Sequence, residues 1–198
     1  MRAVPHHRLR SLLRPLLRPF LRVWIACAGL MALAGCVSAP EGVSSVRGFD
    51  AARYQGEWRA ILRLDHAFER GLTNVTARYT IDGDGVKVVN RGFDRAACRW
   101  RSIEGRATFQ QSADVASLSV TFFWPLAGGY HVIALDRRAY SWAMVAGPTR
   151  DYLWILARKP DLPAAVRDDL VAQARALGFP VEKLVRVDHS PPVCAPKT

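Results

Sequence analysis

No acidic side chain occurs in the first 35 residues, although six arginines do: Arg2, Arg8, Arg10, Arg14, Arg18 and Arg22. The apolar stretch that follows, Val23 to Ala34, has 12 residues, well short of the roughly 20 that a membrane-spanning helix needs. Phosphate-binding glycine loops, nucleophile elbows and zinc-helix motifs are absent, so the sequence offers no reading as a member of those enzyme classes. His66, His131 and His189 stand isolated, so neither a metal site nor a cofactor is expected. Six of the 28 basic residues lie in the leader, leaving 22 against 17 acidic ones and about +5 net in residues 36–198. Those 22 are scattered without a cluster that could track phosphates, which argues against nucleic acid as a partner. Internal repeats and low-complexity tracts are missing beyond the arginine-rich leader.

The front of the chain reads as an export signal: a basic start, a short apolar core and small residues at its end. Residues 1–35 are expected to be a lipoprotein signal peptide. Leu33-Ala34-Gly35-Cys36 resembles the bacterial lipobox, which implies that the Cys36 thiol receives a diacylglycerol and becomes the first residue. The alternative is ordinary cleavage near Ala34, with Cys36 a free or bridged thiol. Acyl chains contribute about 0.8 kcal/mol per buried methylene, so two or three of them anchor a protein stably. Val37 rather than Asp follows the cysteine, which in this lipoprotein class implies the outer membrane, on its periplasmic face. Residues 36–47, with Pro40, Gly42, Ser44 and Ser45, are expected to be a lipidated tether that holds a domain of residues 48–198 off the lipid. With Cys27 in the signal and Cys36 taken by lipid, Cys98 and Cys194 are left in an oxidising compartment, where they can form a disulfide.

Beyond Phe49 the sequence alternates in short runs that suit half-buried antiparallel strands. Trp58, Ala60, Leu62 and Leu64 share one parity, with Arg59 and Arg63 on the other. Val75, Ala77 and Tyr79 repeat the pattern, and Asp82-Gly83-Asp84-Gly85 signals a hairpin turn. Further strands are expected at 86–93, 103–110, 118–124, 130–136, 140–146 and 152–158, with a break from Pro125 to Gly129. Eight such strands suggest a closed barrel, which leaves no exposed edge. Asp161 and Pro163 then mark the start of a helix, and Gly178 with Pro180 its end. Val166, Leu170, Val171, Ala174 and Leu177 make one apolar stripe on it.

Several segments, in order, carry a family resemblance: Gly56-Glu57-Trp58, Phe68-Glu69-Arg70-Gly71, Glu104-Gly105, Gly129-Tyr130, Ala134-Leu135-Asp136, Gly147-Pro148 and Asp151 to Arg158. On these the chain resembles a bacterial lipocalin, the outer-membrane lipoprotein type related to apolipoprotein D and plant temperature-induced lipocalins, over roughly residues 46–190. The resemblance implies an all-β fold: an eight-stranded antiparallel up-and-down barrel with one C-terminal helix packed outside. It also implies that Trp58 plugs the closed end with an arginine of the last strand, Arg158, across it. The second signature of the family, usually Thr-Asp-Tyr, survives only as Asp136, which leaves the hydrogen bonding of that closed-end turn open. A bridge from the tail to the middle of the barrel, frequent in the family, agrees with Cys98–Cys194.

Fatty acids, lysophospholipids or similar amphiphiles are the ligands that the resemblance implies, carried or stored in the cell envelope. Candidate contacts are Leu62, Val75, Tyr79, Val88, Phe109, Val120, Phe122, Tyr130, Trp142 and Trp154, each equally consistent with plain barrel packing. Trp124 and Trp100 lie near loops that could line the mouth. Arg63, Arg78 and Arg106 are candidates for a lipid headgroup but read better as outer-face residues. Asp65, His66 and Glu69 form the tightest acid/base cluster and raise the alternative of a lipid-modifying enzyme, although nothing in the sequence tunes a general base there. A structural envelope lipoprotein that binds a protein partner is a third reading, and a homodimer is left open.

Overall fold

The computed structural model describes residues 37–195. The expected signal peptide and the expected lipidation at Cys36 lie outside the described residues.

An antiparallel barrel forms where the sequence alternates. Its strands are β1 (Gly56–Leu64), β2 (Leu72–Asp82), β3 (Gly85–Asp94), β4 (Arg99–Phe109), β5 (Ser117–Phe123), β6 (Leu126–Leu135), β7 (Trp142–Ala146) and β8 (Leu153–Ala157). Each pairs with its sequence neighbour, and β1 closes the ring by pairing with both β2 and β8. Two-residue turns at Gly83-Asp84 and at Trp124-Pro125 make the β2–β3 and β5–β6 hairpins tighter than the loops elsewhere. The second of these narrows the break expected from Pro125 to Gly129, because β6 already starts at Leu126. β4 likewise starts at Arg99, extended by its pairing with β3 through Asp94↔Arg99.

Two apolar clusters lie on opposite faces of the barrel wall. The inner one holds Trp58, Val75, Tyr79, Val88, Leu118, Val120, Val145 and Leu156. The outer one lies under α2 (Ala164–Ala176), where Leu170 and Ala174 are fully buried against Leu64, Met144, Leu153 and Ile155, with Val166, Val171 and Leu177 at its margin. That helical stripe is the one the sequence spells out.

A bulge in β1 overturns part of the expected parity. Ala60 pairs with Leu156 but Leu62 with Ile155, so Ile61 is an extra residue, and an extra residue flips every later side chain to the other face. Leu62, expected inside, therefore packs in the outer cluster beside Leu64. Arg63, expected on a solvated outer face, is buried at 3% exposure. Trp142, also expected inside, packs in the outer cluster because Ala143 and Val145 take the inward positions of β7.

Three elements were not legible in advance. A one-turn helix α1 (Ala51–Tyr54) is capped by Asp50, whose Oδ1 accepts from the backbone N–H of Ala52 and Arg53 at 2.9 and 3.2 Å. A short β9 (Leu184–Arg186) pairs with the far half of β1, where β2 has diverged. The third is the segment 37–47, expected as a spacer, which instead straps the barrel wall. Val46 N–H donates to Val132 O at 2.8 Å, Ala116 N–H donates to Val46 O at 3.0 Å, and Val43 is buried in the outer cluster. Its polar composition misled because Val43 and Val46 carry enough apolar surface to dock it.

Cys98 and Cys194 form a disulfide across 96 residues, with Cα atoms 4.9 Å apart. The bridge ties the C-terminal tail to the β3–β4 loop, where Ala195 N–H also donates to Arg95 O at 2.9 Å.

Candidate functional site

One end of the barrel is shut by aromatic rings. Trp58 is fully buried and its Nε1–H donates to Tyr54 O at 2.8 Å, so α1 positions the plug. Phe49 and Trp58 lie on either side of Tyr54 in a chain of ring contacts at 5.0 and 4.6 Å. The Arg158 guanidinium lies 3.9 Å from the Trp58 ring centre and donates to Glu57 O, Arg53 O and Tyr140 O. Gly56 sits at φ +91°, and a Cβ there would meet Arg158 Nη1 at 3.3 Å, so the glycine of Gly-x-Trp serves both backbone and neighbour.

The closed-end turn after β6 keeps its hydrogen bonding despite the incomplete signature. Asp136 accepts from the N–H groups of Arg138, Ala139 and Ser141 and from the Ser141 hydroxyl. Burial works to raise its pKa, but these donors outweigh burial and hold the carboxyl below its usual range. Asp136 needs only donors in reach, and the turn Arg137 to Ser141 supplies them.

Above the plug the interior carries three phenols. Tyr130 OH is 2.8 Å from both Tyr54 OH and Tyr79 OH. Burial pushes all three phenols up, so they stay neutral at any physiological pH. The surrounding wall is apolar: Phe49, Val86, Val88, Ala107, Phe109, Leu118 and Val120 join the tyrosines around a cavity of about 20 Å³. Phe122 also packs on the inner cluster, and its ring fits because Gly105 leaves space: a Cβ there would lie 2.6 Å from Phe122 Cδ1. Val75 and Trp154 belong to the same cluster. Of the expected contacts, only Leu62 and Trp142 are on the outer side.

The open end carries a charged lid. Residues 65–71 link β1 to β2, and the inward turn of Arg63 fastens them. Its Nη1 donates to Leu64 O and Asp65 Oδ1, and its Nη2 donates to Glu69 O at 2.9 Å. Glu69 is itself buried, and its Oε2 accepts from Trp154 Nε1 at 3.0 Å. Burial raises the Glu69 pKa, with the Trp154 hydrogen bond and the Arg63 charge opposing it. His66 stacks on Phe68 and Tyr152 at 5.2 and 4.8 Å, and burial followed by the Arg63 charge lowers its pKa to about 4. Asp65 is held by Arg70 and Arg63, whose hydrogen bonds keep its carboxyl below the usual range. Asp65 and Glu69 are thus engaged by Arg63, Arg70 and Trp154, while His66 holds its place by ring contacts with Phe68 and Tyr152.

The remaining arginines stay outside. Arg78 pairs with Glu57, and Arg106 with Asp82 and Asp84 at the closed-end hairpin. At the mouth, Phe123, Trp124 and Leu126 project from the β5–β6 tip, Trp124 at 89% exposure. Trp100 stands on the rim with Arg91 over its ring at 4.0 Å.

Comparison with known proteins gives this geometry a family. The lipocalin-like domain family matches residues 49–189. Outer membrane lipoprotein Blc of Escherichia coli (strain K12) is 47% identical over 151 residues, covering 76% of this chain and 85% of that protein. Apolipoprotein D of Bos taurus is 33% identical over 179 residues, covering 81% and 93%. Among solved structures, insecticyanin from the tobacco hornworm Manduca sexta superimposes with a TM-score of 0.64 at 21% identity, covering 80% of this chain and 89% of that one. With its barrel plugged by Trp58 under Arg158 and a family match over most of its length, the chain belongs to the lipocalins.

Proposed function

We propose that this lipocalin binds single-chain amphiphiles, fatty acids or lysophospholipids, and carries or stores them in a bacterial envelope. The observation that carries the reading is the polarity of the barrel interior: apolar wall residues above a sealed floor, and polar groups gathered at the loop that covers the mouth. Val75, Tyr79, Val88, Phe109, Val120, Phe122, Tyr130 and Trp154 are the proposed contacts.

A 16-carbon chain carries roughly 12 kcal/mol of gross transfer free energy at ~0.8 kcal/mol per methylene. The cavity of about 20 Å³ beside Phe109 and Tyr130 is far smaller than an acyl chain, so binding of such a chain requires the inner side chains to rearrange. That rearrangement and the ordering of chain and lid reduce the net gain, which places dissociation constants near ~1 μM.

Anchoring belongs to the same proposal: residues 1–35 are removed, Cys36 is acylated, and the barrel is held at the periplasmic face of the outer membrane. The name of the Escherichia coli relative, an outer membrane lipoprotein, supports the outer-membrane part of this reading. Titration of fluorescent fatty acids of graded length into the purified protein tests the binding. Saturable binding that strengthens with chain length is expected, and failure at every length would overturn the carrier reading. Mass spectrometry of the exported N-terminal peptide tests acylation at Cys36.

A further inference from the structure

The bulge at Ile61 has a chemical consequence inside the mouth. Arg63 enters the barrel with its two Nη groups fully engaged by Leu64 O, Asp65 and Glu69 O. Its Nε–H is buried and makes no hydrogen bond. The acceptor facing it is Glu69 Oε2, at 3.7 Å, beyond hydrogen-bonding range. That same oxygen accepts from Trp154 Nε1 at 3.0 Å. Two N–H donors on adjacent strands, β1 and β8, therefore converge on one point, and the atom that fills it belongs to a loop.

We propose that Glu69 holds, from the lid, the place taken by the anionic head of a bound amphiphile, and that Arg63 Nε–H and Trp154 Nε1–H recognise that head. The inference rests on the carrier reading above and assigns the head chemistry: one negative charge, a carboxylate or a phosphodiester.

Three features carry it. The donors are rigid, since Arg63 is clamped at both Nη groups and Trp154 packs on the inner cluster. Glu69 meets them imperfectly, short of Arg63, whereas a mobile head can place oxygens on both donors, and a charged pair with hydrogen-bond geometry is the stronger one. Charge balance also fits. Arg63 and Arg70 face Asp65 and Glu69 as two cations and two anions; with Glu69 swung out to water, one positive charge is left for a monoanion.

The way down from this point is apolar. Trp154 packs on the inner apolar cluster that holds Tyr79, Val88 and Val120, and those three line the cavity. A tail below the head therefore enters the aliphatic wall directly. Displacement of the Glu69 side chain breaks its bond to Trp154 while the Glu69 carbonyl stays on Arg63, so occupancy is coupled to the position of one lid carboxyl group. Because Glu69 competes for the site, ligands without an anionic head gain nothing from displacing it.

The test uses the purified full-length protein in lipid nanodiscs, with displacement of the neutral dye phenylnaphthylamine by three ligands of one chain length: dodecanoic acid, lauroyl lysophosphatidylglycerol and dodecan-1-ol. Glu69→Gln is expected to tighten one or both anionic ligands by about tenfold and the alcohol by less than about twofold. A gain confined to the acid assigns a carboxylate head, and a gain confined to the lysolipid a phosphodiester. Trp154→Phe is expected to weaken the anionic ligands by about fivefold relative to the alcohol. Asp151→Asn, which deletes a negative charge on the mouth loop where the carboxylate bonds Thr149 and not Arg63, is expected to change the acid-to-alcohol ratio by less than about twofold. Equal gains from Glu69→Gln and Asp151→Asn, or an acid-to-alcohol ratio that Glu69→Gln does not move, would overturn the assignment while leaving the carrier reading intact. If none of the three ligands displaces the dye from the unmodified protein, the carrier reading falls and takes this proposal with it.

Discussion

The guanidinium of Arg158 lies over the indole of Trp58, its Cζ 3.9 Å from the ring centre, and from there its nitrogens reach the carbonyls of Glu57, Arg53 and Tyr140. One side chain thus joins the end of the last barrel strand to the start of the first and to the turn before β7. Replacing Arg158 by Met keeps the apolar stem but removes the cation–π contact and three hydrogen bonds to backbone carbonyls. A loss of about 2–4 kcal/mol is expected in urea unfolding. Arg158→Lys should recover only part of it, because a single ammonium cannot serve all three carbonyls. A loss below about 0.5 kcal/mol for Arg158→Met would mean that the floor holds without it.

The disulfide gives a second prediction. Closing 96 residues between Cys98 and Cys194 is worth up to roughly 5 kcal/mol in the chain-entropy treatment, and removal of native bridges commonly costs 2–5 kcal/mol. The Cys98→Ser, Cys194→Ser double variant is expected to lose stability in that range while its barrel persists. Far-ultraviolet circular dichroism together with denaturant titration checks both halves of the statement.

Acid should weaken the lid region through His66. Its pKa in the folded protein is about 4, against an ordinary 6.5, so below pH 6.5 the unfolded chain binds a proton that the native ring refuses. The stability that this group contributes is therefore full above pH 6.5 and falls as pH drops towards 4, by about 3 kcal/mol at most, while Glu69, whose carboxyl burial holds above its ordinary range, opposes the fall. His131 is lowered in the same direction, mainly by burial, and adds to the slope. Asp136, with its lowered carboxyl, acts only below its ordinary value of 3.8 and stays out of this window. His66→Phe keeps the stack and should flatten the profile between pH 6.5 and 4. An unchanged slope in urea midpoints would remove His66 as the cause.

The strap over the outer wall should depend on His131. Its Nε2 lies 3.0 Å from Val37 O, which must accept, so Nε2 carries the proton and Nδ1 accepts from Ser117 and Ser45 hydroxyls at 3.1 and 3.4 Å. His131→Ala leaves the buried Ser117 hydroxyl without this partner and releases the Val37 carbonyl, a loss of about 1–3 kcal/mol. Limited proteolysis should then cut within residues 37–47 at least several times faster, whereas equal cleavage rates would show that Val43, Val46 and the backbone pairings hold the strap alone.

Period-two alternation placed the strands, because Leu118, Val120 and Phe122 point inward whatever the neighbours do. The Asp82–Gly85 turn was equally local, since Asp-Gly-Asp-Gly gathers residues that tolerate positive φ at four successive positions. Helix α1 had a signal that could have found it: Asp50 ahead of Ala51-Ala52-Arg53 is an N-cap, but one turn is too short for periodicity to show. Arg63 was misplaced for the opposite reason. An arginine in the polar phase of a strand reads as solvated, and only the pairing of Ala60 with Leu156 and Leu62 with Ile155 shows that the phase changes between them.

The sequence by itself determined the barrel and the outer helix, because alternation and the Val166–Leu177 stripe are local statements about which face must leave water; the plug was legible only through the family resemblance that Gly-x-Trp carries. Tertiary structure alone decided what the mouth contains. A one-residue bulge is invisible to composition, yet it turns Arg63 inward, and in a water-poor interior an inward cation must gather acceptors around itself: Leu64 O, Asp65 and the lid at Glu69.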